Sequence, residues 1–274
     1  MDKKRLLIVT QEMEPYTALS EIAGLVYQMP KYMFDQGLEI RLLMPRYGTI
    51  NERRHRLHEV VRLSGMNIIV DDDDYPLIIK VASMPNSRLQ VYFLDNDDFF
   101  KRKSVFEDAD GKPFDDNPDR MIFFCKGIIE TVKKFGWPPD FIHVHGWMTS
   151  LIPFYLRTVY KTEPLFANSK IIYSVYGDSV FDQDGAKRFF EKANINNLDS
   201  AELEAFRDGD GINVNRAACQ FSDAIIIGSE SVDTSVDYLT VVQDKPILPL
   251  QPESDFLPTY LEFYHSLQGE EVER

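Results

Sequence analysis

The segment His143-Val144-His145-Gly146-Trp147 is the most chemically suggestive stretch of the 274-residue chain. Alternation along a strand puts both imidazoles on one face. Two histidines so placed could bind a metal or hydrogen-bond a sugar. A metal requires further ligands, and His55, His58 and His265 stand at no predicted strand end, so no metal site is expected. A structural use of either imidazole, capping a strand or bonding a neighbouring carbonyl, competes with ligand binding. Trp147 supplies a ring that either packs or meets a ligand. Tyr176-Gly177-Asp178 follows another predicted strand, where Asp178 could be a base, a metal carboxylate or a turn former. Gln11 to Ser20 follows the first predicted strand without a glycine-rich phosphate loop, so no cofactor is expected. No Ser-His-Asp or Cys-His pairing can be placed, and catalytic residues stay unassigned.

Strand ends matter because doubly wound α/β sheets bind ligands beyond the C-terminal ends of their strands. Leu6-Leu7-Ile8-Val9 predicts a strand buried on both faces. A helix should follow, with Ser20 as cap, Ile22, Leu25, Val26, Met29, Met33 and Phe34 at helical spacing, a kink at Pro30 and a stop at Gly37. Glu39 to Met44 completes a strand-helix-strand unit. Runs at 60–63, 66–70, 77–81 and 89–94 predict short strands, some forming an antiparallel insertion, with Asp71–Asp74 as a solvated turn. Asn117 should cap a second long helix that Gly136 ends. Further strands are expected at 141–145, 170–175 and 224–227, and a short helix over Phe256 to Leu267. The predicted class is α/β: a single Rossmann-like doubly wound parallel sheet with a small β insertion.

Composition narrows the partners. Lys and Arg number 30 against 44 Asp and Glu, a net charge of −14, which repels phosphate backbones and argues against nucleic acid. The two cysteines, Cys125 and Cys219, lie far apart and suggest a reduced compartment. The basic and apolar start stops after four apolar residues, as a strand rather than a signal peptide. With no run approaching the roughly 20 apolar residues of a membrane helix, a cytoplasmic protein without a membrane partner is expected.

Taken together, several segments resemble the N-terminal catalytic domain of the bacterial glycogen and plant starch synthases, retaining ADP-glucose glucosyltransferases, over roughly residues 5–239. Gln11-Glu12-Met13-Glu14-Pro15 is similar to the family's opening S-E-x-x-P, and Met29-Pro30-Lys31, Gly37 and Met44-Pro45-Arg46-Tyr47 continue it. Val91 to Asn96, Phe100, Arg102, Asp116-Asn117, Arg120 and Phe123-Phe124 resemble a middle block, and Asp140 to Trp147 resembles D-x-x-H-x-H-D-W. The resemblance implies half of a GT-B fold, with residues 1–242 as the synthase-like domain and 243–274 as an extension whose helix packs on it. It also implies a cleft completed elsewhere, by a protein partner or a homodimer.

The departures carry chemistry. Ala18-Leu19-Ser20-Glu21-Ile22 stands where the family has K-x-G-G-L, Gly146 where it has the aspartate of H-D-W, and Tyr176-Gly177 where it has H-N. Glu21 would repel a phosphate by about 4 kcal/mol at a separation of about 4 Å and an effective dielectric of about 20. The implied ligands are α-glucan or ADP-glucose, with His143, His145, Trp147 and Tyr176 as substrate-binding residues and Arg102 and Arg120 holding local carboxylates. The implied activity is glucosyl transfer, incomplete or degenerate in this chain alone. The alternative is a non-catalytic module that binds glucan or a partner protein.

Overall fold

The structure, a computed structural model, describes residues 3–177, 181–193, 198, 200–232, 242 and 244–268. It opens with β1 (Arg5–Thr10), α1 (Glu21–Asp35) and β2 (Glu39–Pro45), the expected strand-helix-strand unit. The Ser20 hydroxyl accepts from the Ile22 amide at 3.3 Å, capping α1, and Gly37 follows its end at φ 97°. Helical structure continues through Pro30 to Asp35.

Next come α2 (Glu52–His55), β3 (His58–Glu59), β4 (Met66–Val70), β5 (Asp73–Ser83), β6 (Gln90–Asp95) and α3 (Asp97–Phe100). The strand expected over 60–63 is instead a turn: the Leu63 and Ser64 amides bond back to the Val60 carbonyl, leaving Val61 exposed. Of the acidic run only Asp71 and Asp72 turn, while Asp73 and Asp74 begin β5, and Asp71 pairs with Lys192 at 2.6 Å. Then follow α4 (Asn117–Phe135), β7 (Phe141–His145), α5 (Leu151–Arg157), β8 (Lys170–Val175), α6 (Gln183–Lys192) and α7 (Ser200–Leu203). The last elements are β9 (Arg207–Asp208), β10 (Gly211–Ile212), α8 (Val214–Phe221), β11 (Ala224–Ile227), β12 (Ile247–Leu248) and α9 (Phe256–Ser266).

The main sheet runs β12-β11-β8-β7-β1-β2-β6-β5-β3, with β4 paired to β5. Every pairing from β12 to β6 is parallel, and β3, β4 and β5 form the antiparallel insertion. The chain leaves β1 toward β2 and returns on its other side as β7, so the switch in strand order lies between β1 and β7, where such sheets open a crevice. Helices α1 and α9 pack together on one face; α4, α5, α6 and α8 pack on the other. With both faces covered, β7 is buried at all five positions. Residues 247–248 thus join the sheet beside β11, and α9 lies on α1.

Asn117 is the first helical residue of α4 rather than its cap. Its amide donates to the Phe106 carbonyl at 2.8 Å and its oxygen accepts from Arg120 at 2.8 Å, which pins the preceding loop. Arg102 pairs with Asp116, as expected, but Arg120 holds no carboxylate among the described residues. It is 1% exposed and donates to the carbonyls of Phe99 at 2.9 Å and Val105 at 2.6 Å, because a buried loop leaves acceptors that only the protein can satisfy. Arg120→Met, which keeps the stem and removes the donors, is expected to lower unfolding free energy by about 3 kcal/mol in urea titration. Arg102→Met, at a partly exposed ion pair, should cost about 1 kcal/mol.

Candidate functional site

At the crevice between β1 and β7 lies a cleft of about 260 Å³, lined by Gln11 and Glu12 after β1, Leu19 to Ile22 at the start of α1, Phe106, Gly146 and Trp147 after β7, Tyr176 and Gly177 after β8, and Ser231. Of the four residues expected to bind substrate, Trp147 and Tyr176 line this cleft. Trp147 packs between Phe106 and Phe181, with ring centroids at 4.8 and 5.0 Å, and keeps an edge on the cleft. The Asn215 amide donates to the carbonyls of Tyr176 at 3.5 Å and Gly177 at 3.2 Å, fixing the end of β8. A Cβ at Gly228 would stand 2.5 Å from the Tyr176 ring, so the glycine after β11 makes room for that ring. Asp178 lies outside the described residues.

The two histidines do share one face, but the wrong environment surrounds them for ligand contact. Both are 0% exposed and neither lines the cleft, whereas the resemblance implied that they bind substrate. His143 sits between two hydroxyls, Nδ1 at 2.6 Å from Tyr264 of α9 and Nε2 at 2.7 Å from Ser174 of β8. A neutral imidazole satisfies both, donating to one and accepting from the other. His145 has Nδ1 at 2.9 Å from the Tyr176 hydroxyl, and its buried Nε2 has no hydrogen-bond partner among the described residues. Burial lowers His145 to about 3 and holds His143 well below the usual imidazole range, with the neighbouring His145 adding to the effect. The rings lie 3.9 Å apart, which disfavours charging both. Burial likewise pushes the Tyr176 phenol up, keeping it protonated. No acid or base titrating near neutrality comes from this pair.

Glu12 is the residue that sequence reasoning passed over. It is 0% exposed, and its carboxylate accepts from the Leu19 amide, from the Ser20 amide at 3.0 Å and from the Ser20 hydroxyl at 2.8 Å. An internal anion thus occupies the start of α1, where the backbone amides and helix dipole would otherwise favour a phosphate. The opening Glu-x-x-Pro was the available signal. Gln11 is the second such residue. Its Oε1 accepts from the Met148 amide at 3.3 Å, and a Cβ at Gly146 would lie 2.3 Å from that same oxygen. Glutamine at 11 and glycine at 146, where the family pattern has serine and aspartate, are therefore one coupled arrangement. Among the described residues no cluster of His, Cys, Asp or Glu could hold a metal ion.

Two measurements test this geometry. An unfolded imidazole titrates near 6.5, above the folded value, so the unfolded chain binds the extra protons in mild acid. Stability is full above pH about 6.5 and falls as pH drops toward 3, by up to about 1.4 kcal/mol per unit per ring. Urea unfolding between pH 7.5 and 5 should show this loss; a flat profile with imidazole NMR signals titrating near 6.5 would mean solvated rings. Gly146 has φ 83° and ψ 162°, a region reserved almost wholly for glycine. Gly146→Ala should cost about 3 kcal/mol, of which adding Gln11→Ala recovers about 1 by removing the clash and leaving the backbone strain.

Comparison with known proteins agrees with this architecture. A family model described as the starch synthase catalytic domain matches residues 5–237. The glycogen synthase of Chlorobium limicola is 35% identical over 224 residues, 81% of this chain and 45% of that protein. That of Chlorobaculum tepidum is 34% identical over 248 residues, 89% of this chain and 48% of its own. The chain thus spans about half the length of the curated relatives it matches. Among solved structures, the catalytic domain of starch synthase IV from Arabidopsis thaliana, bound to ADP and acarbose, superposes with a TM-score of 0.73 at 17% identity, covering 93% of this chain and 53% of that one. That likeness identifies the sheet and its helices as half of a GT-B glycosyltransferase fold. With its switch-point cleft, its strand order and a match across most of its length, the chain belongs to the starch synthase catalytic domain family.

Proposed function

We propose that this chain is a glycogen/starch synthase-type domain whose cleft between β1 and β7 receives α-glucan, and that it does not by itself take ADP-glucose or transfer glucose from it. The observation that carries this reading is the charge of the cleft. Glu12 and Glu21 line it, and among the described residues no Lys, Arg or His does. The Glu12 carboxylate already uses the amides of Leu19 and Ser20 that a diphosphate would need. A neutral saccharide meets no such penalty. Its hydroxyls can donate to Glu21 and exchange hydrogen bonds with Ser20 and Gln11, while the edge of Trp147 offers apolar surface. The residues proposed to meet substrate are Trp147 and Tyr176, with no cofactor or metal. The ADP and acarbose bound to Arabidopsis starch synthase IV support ligands of the nucleotide and saccharide type for the family.

A second reading is favoured by the half-length match to the glycogen synthases: the cleft forms one wall of a transferase that another polypeptide or a second copy completes. In that case positioning and charge stabilisation of the leaving diphosphate come from the other wall. Absence of a membrane-length apolar helix among the described residues fits either reading.

Calorimetry with maltoheptaose and with ADP-glucose, beside an assay of labelled glucose transfer to glycogen, separates these outcomes. Maltoheptaose should bind in the millimolar range, ADP-glucose should give no heat, and the chain alone should transfer nothing. Turnover by the chain alone would sink the proposal, and turnover only on adding a partner would establish the second reading. Ala18→Lys with Glu21→Gly should gain about tenfold in ADP-glucose affinity if repulsion at this loop is what excludes the donor.

A further inference from the structure

A second cleft of about 370 Å³ lies between α1, the segment after β12 and α9, bordering the first at Ser20 and Glu21. Its lining includes Glu14, Glu21 and Glu253 together with Leu25 and Leu250, and among the described residues no cationic side chain. Leu250 is 40% exposed, an apolar surface that water meets directly. The three carboxylates do not converge as metal ligands do, since no such cluster occurs among the described residues.

Tyr260 of α9 is the independent feature. The residue is 2% exposed and lines this cleft, yet its hydroxyl makes no hydrogen bond to any described residue and is not among the polar atoms sealed from solvent. A tyrosine this buried ordinarily finds a partner. Here the hydroxyl has an unused capacity to accept, and the space beside it is the cleft. Burial pushes the phenol up, so it stays neutral and adds no further negative charge.

We propose that this cleft binds an organic cation of the linear polyamine class, with ammonium groups separated by short methylene segments. The ammonium groups pair with Glu14, Glu21 and Glu253, one of them donates to the Tyr260 hydroxyl, and the methylenes lie on Leu25 and Leu250. A lining that combines acidic residues with leucines matches a ligand that combines ammonium charge with hydrocarbon. A phosphorylated compound would be repelled by every charged group in the lining. The net charge of −14 draws cations to the surface as a whole, so the decisive question is whether binding is local.

The test is calorimetry of the full chain with spermidine at constant ionic strength, with maltotriose as the uncharged comparison. Glu14→Gln/Glu21→Gln/Glu253→Gln is expected to weaken spermidine about thirtyfold, from about threefold per exposed ion pair. Asp72→Asn/Asp98→Asn/Asp110→Asn removes the same charge from distant exposed positions and should change affinity by less than about twofold. Tyr260→Phe keeps the ring and should weaken binding about threefold through the lost hydrogen bond. Equal weakening by both triple variants would reduce the effect to diffuse surface charge and overturn the proposal. So would an absence of heat with spermidine, an unchanged affinity in Tyr260→Phe, or maltotriose binding here that Tyr260→Phe abolishes. Because maltoheptaose binding in the neighbouring cleft is read separately, failure here leaves the glucan reading untouched.

Discussion

A carboxylate with no access to water must have its charge satisfied by the protein around it, and Glu12 imposes that condition on the entire ligand-binding end of the sheet. Its partners are the Leu19 amide, the amide and hydroxyl of Ser20 and the Gln11 side-chain amide at 3.4 Å, so the loop between β1 and α1 folds back over the strand end. Removing the carboxylate would orphan those amides; removing them would strand a buried charge. Ser20 does double duty, donating to Glu12 while its oxygen caps α1 through the Ile22 amide. The course of the loop into α1 follows from this group, and together with Glu21 it sets the sign of the charge that lines the cleft.

On the other side of β1 the same logic operates without charge. His143 and His145 stay neutral because the two helix-covered faces of the sheet exclude water, and the hydroxyls of Tyr264, Ser174 and Tyr176 take their hydrogen bonds. The Tyr264 contact ties α9, which packs with α1 on one face of the sheet, to β7 at the centre of the sheet. A pair of histidines at a strand end thus acts as an internal fastening, and the chemistry available to the cleft comes from neutral hydroxyls, amides and carboxylates.

Much of the fold was legible because its signals are local. Short apolar runs marked β1, β7, β8 and β11; Ser20, Gly37 and Gly136 bounded helices through capping and positive φ. Errors arose where a distant partner decided the outcome. Val60 to Leu63 has strand composition but turns, since the carbonyl of Val60 captures the Leu63 and Ser64 amides while its own amide bonds to Ile79. Asn117 looks like a cap, yet its side chain is engaged by Phe106 and Arg120. Trp147 and Tyr176 line the cleft because strand order places the ends of β7 and β8 there, whereas the roles of Glu12 and Gln11 are not legible in the sequence because they depend on partners in the loop and after β7.

The sequence by itself determined the family, the α/β class and the loss of the cation and glycines ahead of α1, because each is written in residue types and their order. Only the tertiary structure decided what those changes mean. Burial is a property of neighbours: it turned two histidines from candidate ligand groups into sealed neutral ones, made Glu12 an internal anion, and showed Gln11 filling the space that glycine at 146 leaves open. It also brought Tyr260 and Glu253, more than two hundred residues from Glu14, to the rim of one cleft. Side-chain identity set which charges the chain carries, and the packing of helices on both faces of the sheet set which of them water and ligands can reach.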